Sequence, residues 1–153
     1  TGAQMLSIEK EAELKQRFKL AGVKATQKRM EIFHTLVLAN RALSPYELAH
    51  FCEHDFSLSV PVVSIYRTLD LLVSVNLVHK LDLVNKYIAC AHLECQSHHP
   101  HSQFLICNVC QKVTEIHIPH TITTELSEHI AKHGFQLKSP QYEFQGVCQA
   151  CSS

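Results

Sequence analysis

Four of the seven cysteines in this 153-residue chain stand in two Cys-x-x-Cys pairs, Cys107 with Cys110 and Cys148 with Cys151. Each pair offers two thiolates from the tip of a tight turn, and two pairs together supply the four sulfurs of a tetrahedral Zn²⁺. Such a set leaves no coordination position for water, so it predicts a structural staple and not a catalytic metal. A disulfide pair and a thioredoxin-like Cys-x-x-Cys are the competing readings; two matched pairs in one short chain favour the metal. A zinc hydrolase or nucleobase deaminase needs an open zinc position, and neither Cys107 nor Cys148 follows the Pro of the deaminase Pro-Cys-x-x-Cys. Neither an enzymatic activity nor a small-molecule substrate is expected.

The charge is unevenly laid out. The net charge is zero, yet residues 14–30 hold Lys15, Arg17, Lys19, Lys24, Lys28 and Arg29 without one acid. A local basic stripe can bind phosphate even in a neutral chain, although a solvated helix face reads the same way. His92, His98, His99, His101, His117 and His120 crowd the second half beside the cysteine pairs. The first half therefore reads as a contact module and the second as a metal module. No apolar run reaches the roughly 20 residues of a membrane span. No signal-peptide core opens the chain, so a soluble cytoplasmic protein with no membrane partner is expected. In that reducing compartment cysteines mean metal before disulfide.

The elements that must position these residues are signalled by caps. Ser7, with Glu9 and Glu11 in the first turn, opens a helix that Gly22 ends. Thr26 caps a second helix to about residue 39, with Met30, Phe33 and Val37 at helical spacing. Ser44-Pro45-Tyr46-Glu47 is a capping box and predicts a third, short helix ending near Glu53. After Pro61, Ile65, Leu69, Leu72 and Val73 give a fourth helix, with Asn76 as its stop. Two short strands around Val84-Asn85 then read as a hairpin.

Helices followed by a hairpin suggest a winged helix-turn-helix whose fourth helix enters the major groove of an operator duplex. On that reading Arg67 pairs with a guanine edge or clamps phosphate, Tyr66 packs on a thymine methyl or bonds a phosphate, and Ser64 lies beside them. Tyr46 is placed for a phosphate and Lys24 for a narrowed minor groove. Both tyrosines can also be read as packing aromatics. Residues 91–102 lose strand periodicity, which sets the organisation: 1–91 a DNA-binding domain, 92–102 a hinge, 103–153 a zinc-binding dimerisation domain. The expected fold class is α+β, a winged helix-turn-helix followed by a small α/β dimerisation domain with a four-cysteine zinc knuckle. That last domain has two strands around the first knuckle, one helix and a last strand. It leaves Phe104, Ile106, Val113, Ile116, Ile122, Leu126 and Ile130 to be covered, and a C2 homodimer would cover them and suit two operator half-sites.

These residues together resemble the ferric uptake regulator (Fur) family of metal-dependent repressors over nearly the whole chain. The resemblance rests on GVKATQKR at 22–29, SIYRTL at 64–69, the His-rich stretch before Cys107, KHG at 132–134 and Cys148-x-x-Cys151. VHK at 78–80, Tyr87 to Cys90, and SQFLIC at 102–107 are most similar to its zinc-sensing branch. The resemblance implies that Cys107, Cys110, Cys148 and Cys151 hold structural zinc. It also implies a regulatory zinc on His79, Cys90, His99 or His101, and Glu115, for about two zinc ions per chain; Cys95 and His98, placed in the hinge, are alternative donors to the same site. One thiolate, two imidazoles and one carboxylate suit Zn²⁺, whereas a ferrous sensor prefers nitrogen and oxygen alone. The implied function is a zinc-responsive repressor of zinc uptake genes; the alternative is an iron-, manganese- or peroxide-sensing regulator of the same family.

Overall fold

The computed structural model describes residues 8–90, 102–138 and 141–153, and falls into two compact units that meet in sequence at Ser97 and His98. The Ser7 cap, the hinge with His99 and His101, and Cys95 and His98 lie outside the described residues.

The first unit opens with α1 (Ile8–Leu20), acidic in its first turn and basic in its last, as the helix dipole favours. Gly22 closes it at φ +75°, a conformation only glycine adopts without steric cost. In α2 (Gln27–Ala39) the Thr26 hydroxyl accepts the Arg29 N–H at 3.2 Å. In α3 (Pro45–Phe56) both halves of the capping box form: Glu47 N–H donates to Ser44 Oγ at 3.1 Å and Ser44 N–H to Glu47 Oε1 at 3.0 Å. The helix runs three residues past its expected end at Glu53, because Ser57 supplies the left-handed cap at φ 52°. A short linker leads to α4 (Val62–Ser74), which starts at Pro61 without a side-chain cap and passes through Asn76, φ 62°, into the hairpin. Strands β1 (Val78–Leu81) and β2 (Lys86–Ala89) pair antiparallel, with His79 opposite Ile88.

Leu43 joins this hairpin as well, exchanging backbone hydrogen bonds of 2.9 and 2.8 Å with Tyr87. The loop before α3 is thereby tied to the wing, and Lys86 reinforces the tie through Glu47 at 3.3 Å. Phe18, Phe33, Leu48, Ile65, Leu69 and Tyr87 are buried in one core, each contributing about 1.5–3 kcal/mol by leaving water. Phe18 and Phe33 meet edge to face at 5.8 Å.

The second unit holds β3 (Ser102–Cys107), β4 (Val113–His117), α5 (His120–Ala131), β5 (Tyr142–Gly146) and α6 (Gln149–Ser152). Its sheet has the order β4-β3-β5, antiparallel on one side of β3 and parallel on the other. Gln103 is fully buried, its Oε1 accepting the Tyr142 N–H at 2.8 Å. The expected uncovered face needs correction: Phe104 and Ile106 are already buried at 0% and 3% exposure. They share the covered face of β3, whereas Leu105 between them points to the other face and is 41% exposed. The exposed apolar side chains of this unit include Ile122, Leu126, Phe144 and Val147.

Candidate metal centre and nucleic-acid interface

Two backbone reversals bring the four paired cysteines together. At the first, Cys107 N–H donates to Lys112 O at 2.9 Å and Gln111 N–H to Cys107 O at 3.0 Å, with Gln111 at φ 66°. At the second, Cys151 and Ser152 both donate to Cys148 O at 3.0 Å, making the one turn of α6 that the spacing alone does not predict. Asn108 N–H, donating to Gly146 O at 2.8 Å, pins one reversal to the strand that leads into the other.

The sulfurs of Cys107, Cys110, Cys148 and Cys151 consequently lie within 4.8 Å of one another. Cys110 and Cys148 are 3.7 Å apart. A tetrahedron with Zn–S bonds of about 2.3 Å has edges of about 3.8 Å, so the donor set fits Zn²⁺ in type and size. The backbone prepares one ligand: Cys107 Sγ accepts N–H groups of Val109 at 3.4 Å and Cys148 at 3.3 Å. Backbone donors, that of Cys110 first, push its thiol down to about 6. Cys151 is pushed up to about 12, chiefly by its hydrogen bond with the Cys148 sulfur. Four thiolates repel one another, and a divalent cation at their centre removes that penalty.

The remaining predicted ligands are placed separately. In the first unit His79 and Cys90 share one face of the hairpin: His79 is opposite Ile88, and Cys90, two residues on, donates its N–H to Leu77 O at 2.9 Å. His79 is half-buried and Cys90 buried. Cys90 is disulfide-bonded here, so it offers a thiolate only on reduction. In the second unit Glu115 is half-buried on β4, opposite Phe104.

The predicted DNA contacts all belong to the first unit. Tyr46 is exposed in the first turn of α3, and Lys24 in the loop between α1 and α2. On α4, Tyr66 and Arg67 are exposed and Ser64 is half-buried. The helix turns its other side, with Ile65, Thr68, Leu69 and Leu72, into the core. Val63 and Asp70 lie on the same exposed face and were not singled out from the sequence. Their i, i+3, i+4, i+7 spacing with Tyr66 and Arg67 is the signal that finds them.

Fold and site together define a class: a winged helix-turn-helix unit followed by a small α/β unit that carries a four-cysteine metal cluster. The ferric uptake regulator family is matched over residues 20–145, and the chain belongs to that family. It is 33% identical over 135 residues to the zinc uptake regulation protein of Escherichia coli (strain K12), covering 84% of this chain and 73% of that one. The ferric uptake regulation protein of Campylobacter jejuni is 30% identical over 143 residues, with 86% and 82% covered. Among solved structures, a zinc uptake regulator complexed with zinc and DNA superimposes with a TM-score of 0.77 at 26% identity, covering 97% of each chain. Holo XcZur gives 0.73 at 25% identity, over 93% of this chain and 98% of that one.

Proposed function

We propose that the chain is a zinc-responsive transcriptional repressor of zinc uptake genes, a zinc uptake regulator (Zur) that binds operator DNA as a zinc-loaded homodimer. The observation that carries this is the pairing in one chain of a four-sulfur cluster of zinc dimensions with a helix whose exposed face presents Tyr66 and Arg67. The relatives named for zinc uptake regulation, one of them complexed with zinc and DNA, support the metal and the partner.

In this reading residues 1–91 form the reading head, 92–102 the hinge and 103–153 the dimerisation domain. Cys107, Cys110, Cys148 and Cys151 hold the structural ion. His79, reduced Cys90, His99 or His101, and Glu115 hold the regulatory one; the mixed donor set favours Zn²⁺ over ferrous iron. Bound there, the ion supplies a crosslink and no reaction. Arg67, Tyr66 and Ser64 face the major groove, and Tyr46 and Lys24 the backbone and minor groove. The exposed Ile122, Leu126, Phe144 and Val147 are apolar surface that a second copy would bury. Linkage makes the response reciprocal: whatever factor regulatory zinc adds to operator affinity, operator adds to zinc affinity. The chain catalyses nothing on this reading and works in the cytoplasm, where its operator is. No helix among the described residues is long and apolar enough to cross a membrane.

The test is a zinc titration of the reduced protein against a competing chelator, with operator binding followed in parallel. Two zinc classes, one retained and one exchangeable and required for DNA binding, are expected. A retained zinc alone, with DNA binding governed by ferrous iron or manganese, would replace zinc sensing by the iron or manganese reading.

A further inference from the structure

At 100° per residue, Val63, Tyr66, Arg67 and Asp70 fall within an arc of about 100° on α4, opposite the arc of Ile65, Thr68, Leu69 and Leu72 that enters the core. Val63 is the odd member. It is 61% exposed, more than Tyr66 at 41%, and it stands in the first turn of the helix. Core packing does not account for a side chain so open to water. Helix formation does not either, because a β-branched residue is a poorer helix former than Ala. Recognition helices read base edges chiefly through their N-terminal residues, and that is where Val63 lies.

We infer that Val63 is a specificity-determining residue that reads the 5-methyl group of a thymine in each operator half-site. This rests on the regulator reading above. Valine has no donor or acceptor, and the groove-edge group that an apolar side chain complements is the thymine methyl. Four residues along a helix advance about 6 Å, and successive base pairs rise about 3.4 Å. The thymine read by Val63 therefore lies within about two base pairs of the base that Arg67 contacts. Tyr66, whose hydroxyl can reach a phosphate, is left to position the helix.

The experiment uses the full chain, reduced and zinc-loaded. Duplexes are selected from a random pool, and each thymine of the selected site is then replaced singly by deoxyuridine, which lacks the methyl group. One position per half-site is expected to cost the wild type about fourfold in Kd, the value of one buried methyl. Val63→Ala should bind the thymine and deoxyuridine duplexes equally, while Tyr66→Ala, which removes the neighbouring ring, weakens both duplexes and keeps the fourfold ratio between them. The inference is overturned if no deoxyuridine costs the wild type anything, or if Val63→Ala retains the full loss. Selection of no duplex by the wild type would overturn the regulator reading and this inference with it. Val63 is exposed and Ala is the better helix former, so the variant keeps its fold, and its melting temperature checks that.

Discussion

The sulfurs of Cys110 and Cys148, 38 residues apart in the chain, stand 3.7 Å from each other, about the edge of a zinc–thiolate tetrahedron. That closeness is held by backbone bonds on both sides, above all Asn108 N–H to Gly146 O at 2.8 Å. Cys110 itself is exposed and adds little to packing, so Cys110→Ser tests the metal almost without touching the core. The variant should lose the chelator-resistant zinc, one equivalent per chain, and with it the cooperative melting of the second unit. Structural zinc contributes on the order of 10 kcal/mol to such small domains, whereas the first unit, with its own core, should keep its helical circular dichroism. Retention of that zinc in Cys110→Ser would refute the four-sulfur assignment.

Stability of the first unit should depend on His34. This residue of α2 is 8% exposed, sits against Phe56 with ring centroids 5.9 Å apart, and its Nδ1 has no hydrogen-bond partner among the described residues. Burial first, and then the charge of Lys10, lowers its pKa from the ordinary 6.5. The unfolded chain thus takes up the proton more readily than the folded one. Stability is fully present above the unfolded value and falls as the pH drops through it, flattening once the folded form is protonated too. His34→Phe keeps a ring against Phe56 and has no proton to gain. Urea midpoints of the zinc-saturated protein on either side of pH 6.5 should show a smaller drop for His34→Phe than for the wild type; equal drops would exclude His34 as the source.

Much of this architecture was legible because it is encoded locally. Thr26 and the Ser44–Glu47 box fix two helix starts by side-chain chemistry within one turn, and all three bonds form as the spacing predicts. The two Cys-x-x-Cys pairs announce a shared site through residue type and number, and the sulfurs do converge. What escaped depends on contacts between distant segments. The bridge from Leu43 to Tyr87 involves one residue and has no periodicity to betray it. Phe104 and Ile106 lie on the buried face of β3 while Leu105 between them is 41% exposed, and alternation alone does not say which face the rest of the unit covers. The extension of α3 to Phe56 turns on a left-handed cap at Ser57, a conformation that its residue type does not advertise.

For the regulatory ligands the shared hairpin face of His79 and Cys90 sets the expectation. Under reducing conditions His79→Ala and Cys90→Ala should each abolish the exchangeable zinc and leave the retained one intact. Glu115→Gln keeps the shape but not the charge, and should weaken that zinc without removing the retained one. Operator binding in the two alanine variants should no longer rise with zinc. Zinc-dependent binding that persists in Cys90→Ala would exclude this ligand set.

Arg67 and Lys24 should separate reading from anchoring. Arg67 is exposed on the same arc of α4 as Val63, one turn further on. If it forks onto a guanine edge, Arg67→Lys retains the charge but loses the two-pronged geometry. It should cost about 1–3 kcal/mol for the selected site and flatten preference at one base position. Lys24 is exposed in the loop before α2, and a phosphate contact there would act through charge alone. Lys24→Ala should weaken all duplexes about equally and reduce the slope of log K against log salt by about 1. Salt titrations on the selected site and on one scrambled duplex distinguish the two behaviours. A uniform loss with unchanged base preference in Arg67→Lys would reassign Arg67 from a base reader to a phosphate clamp.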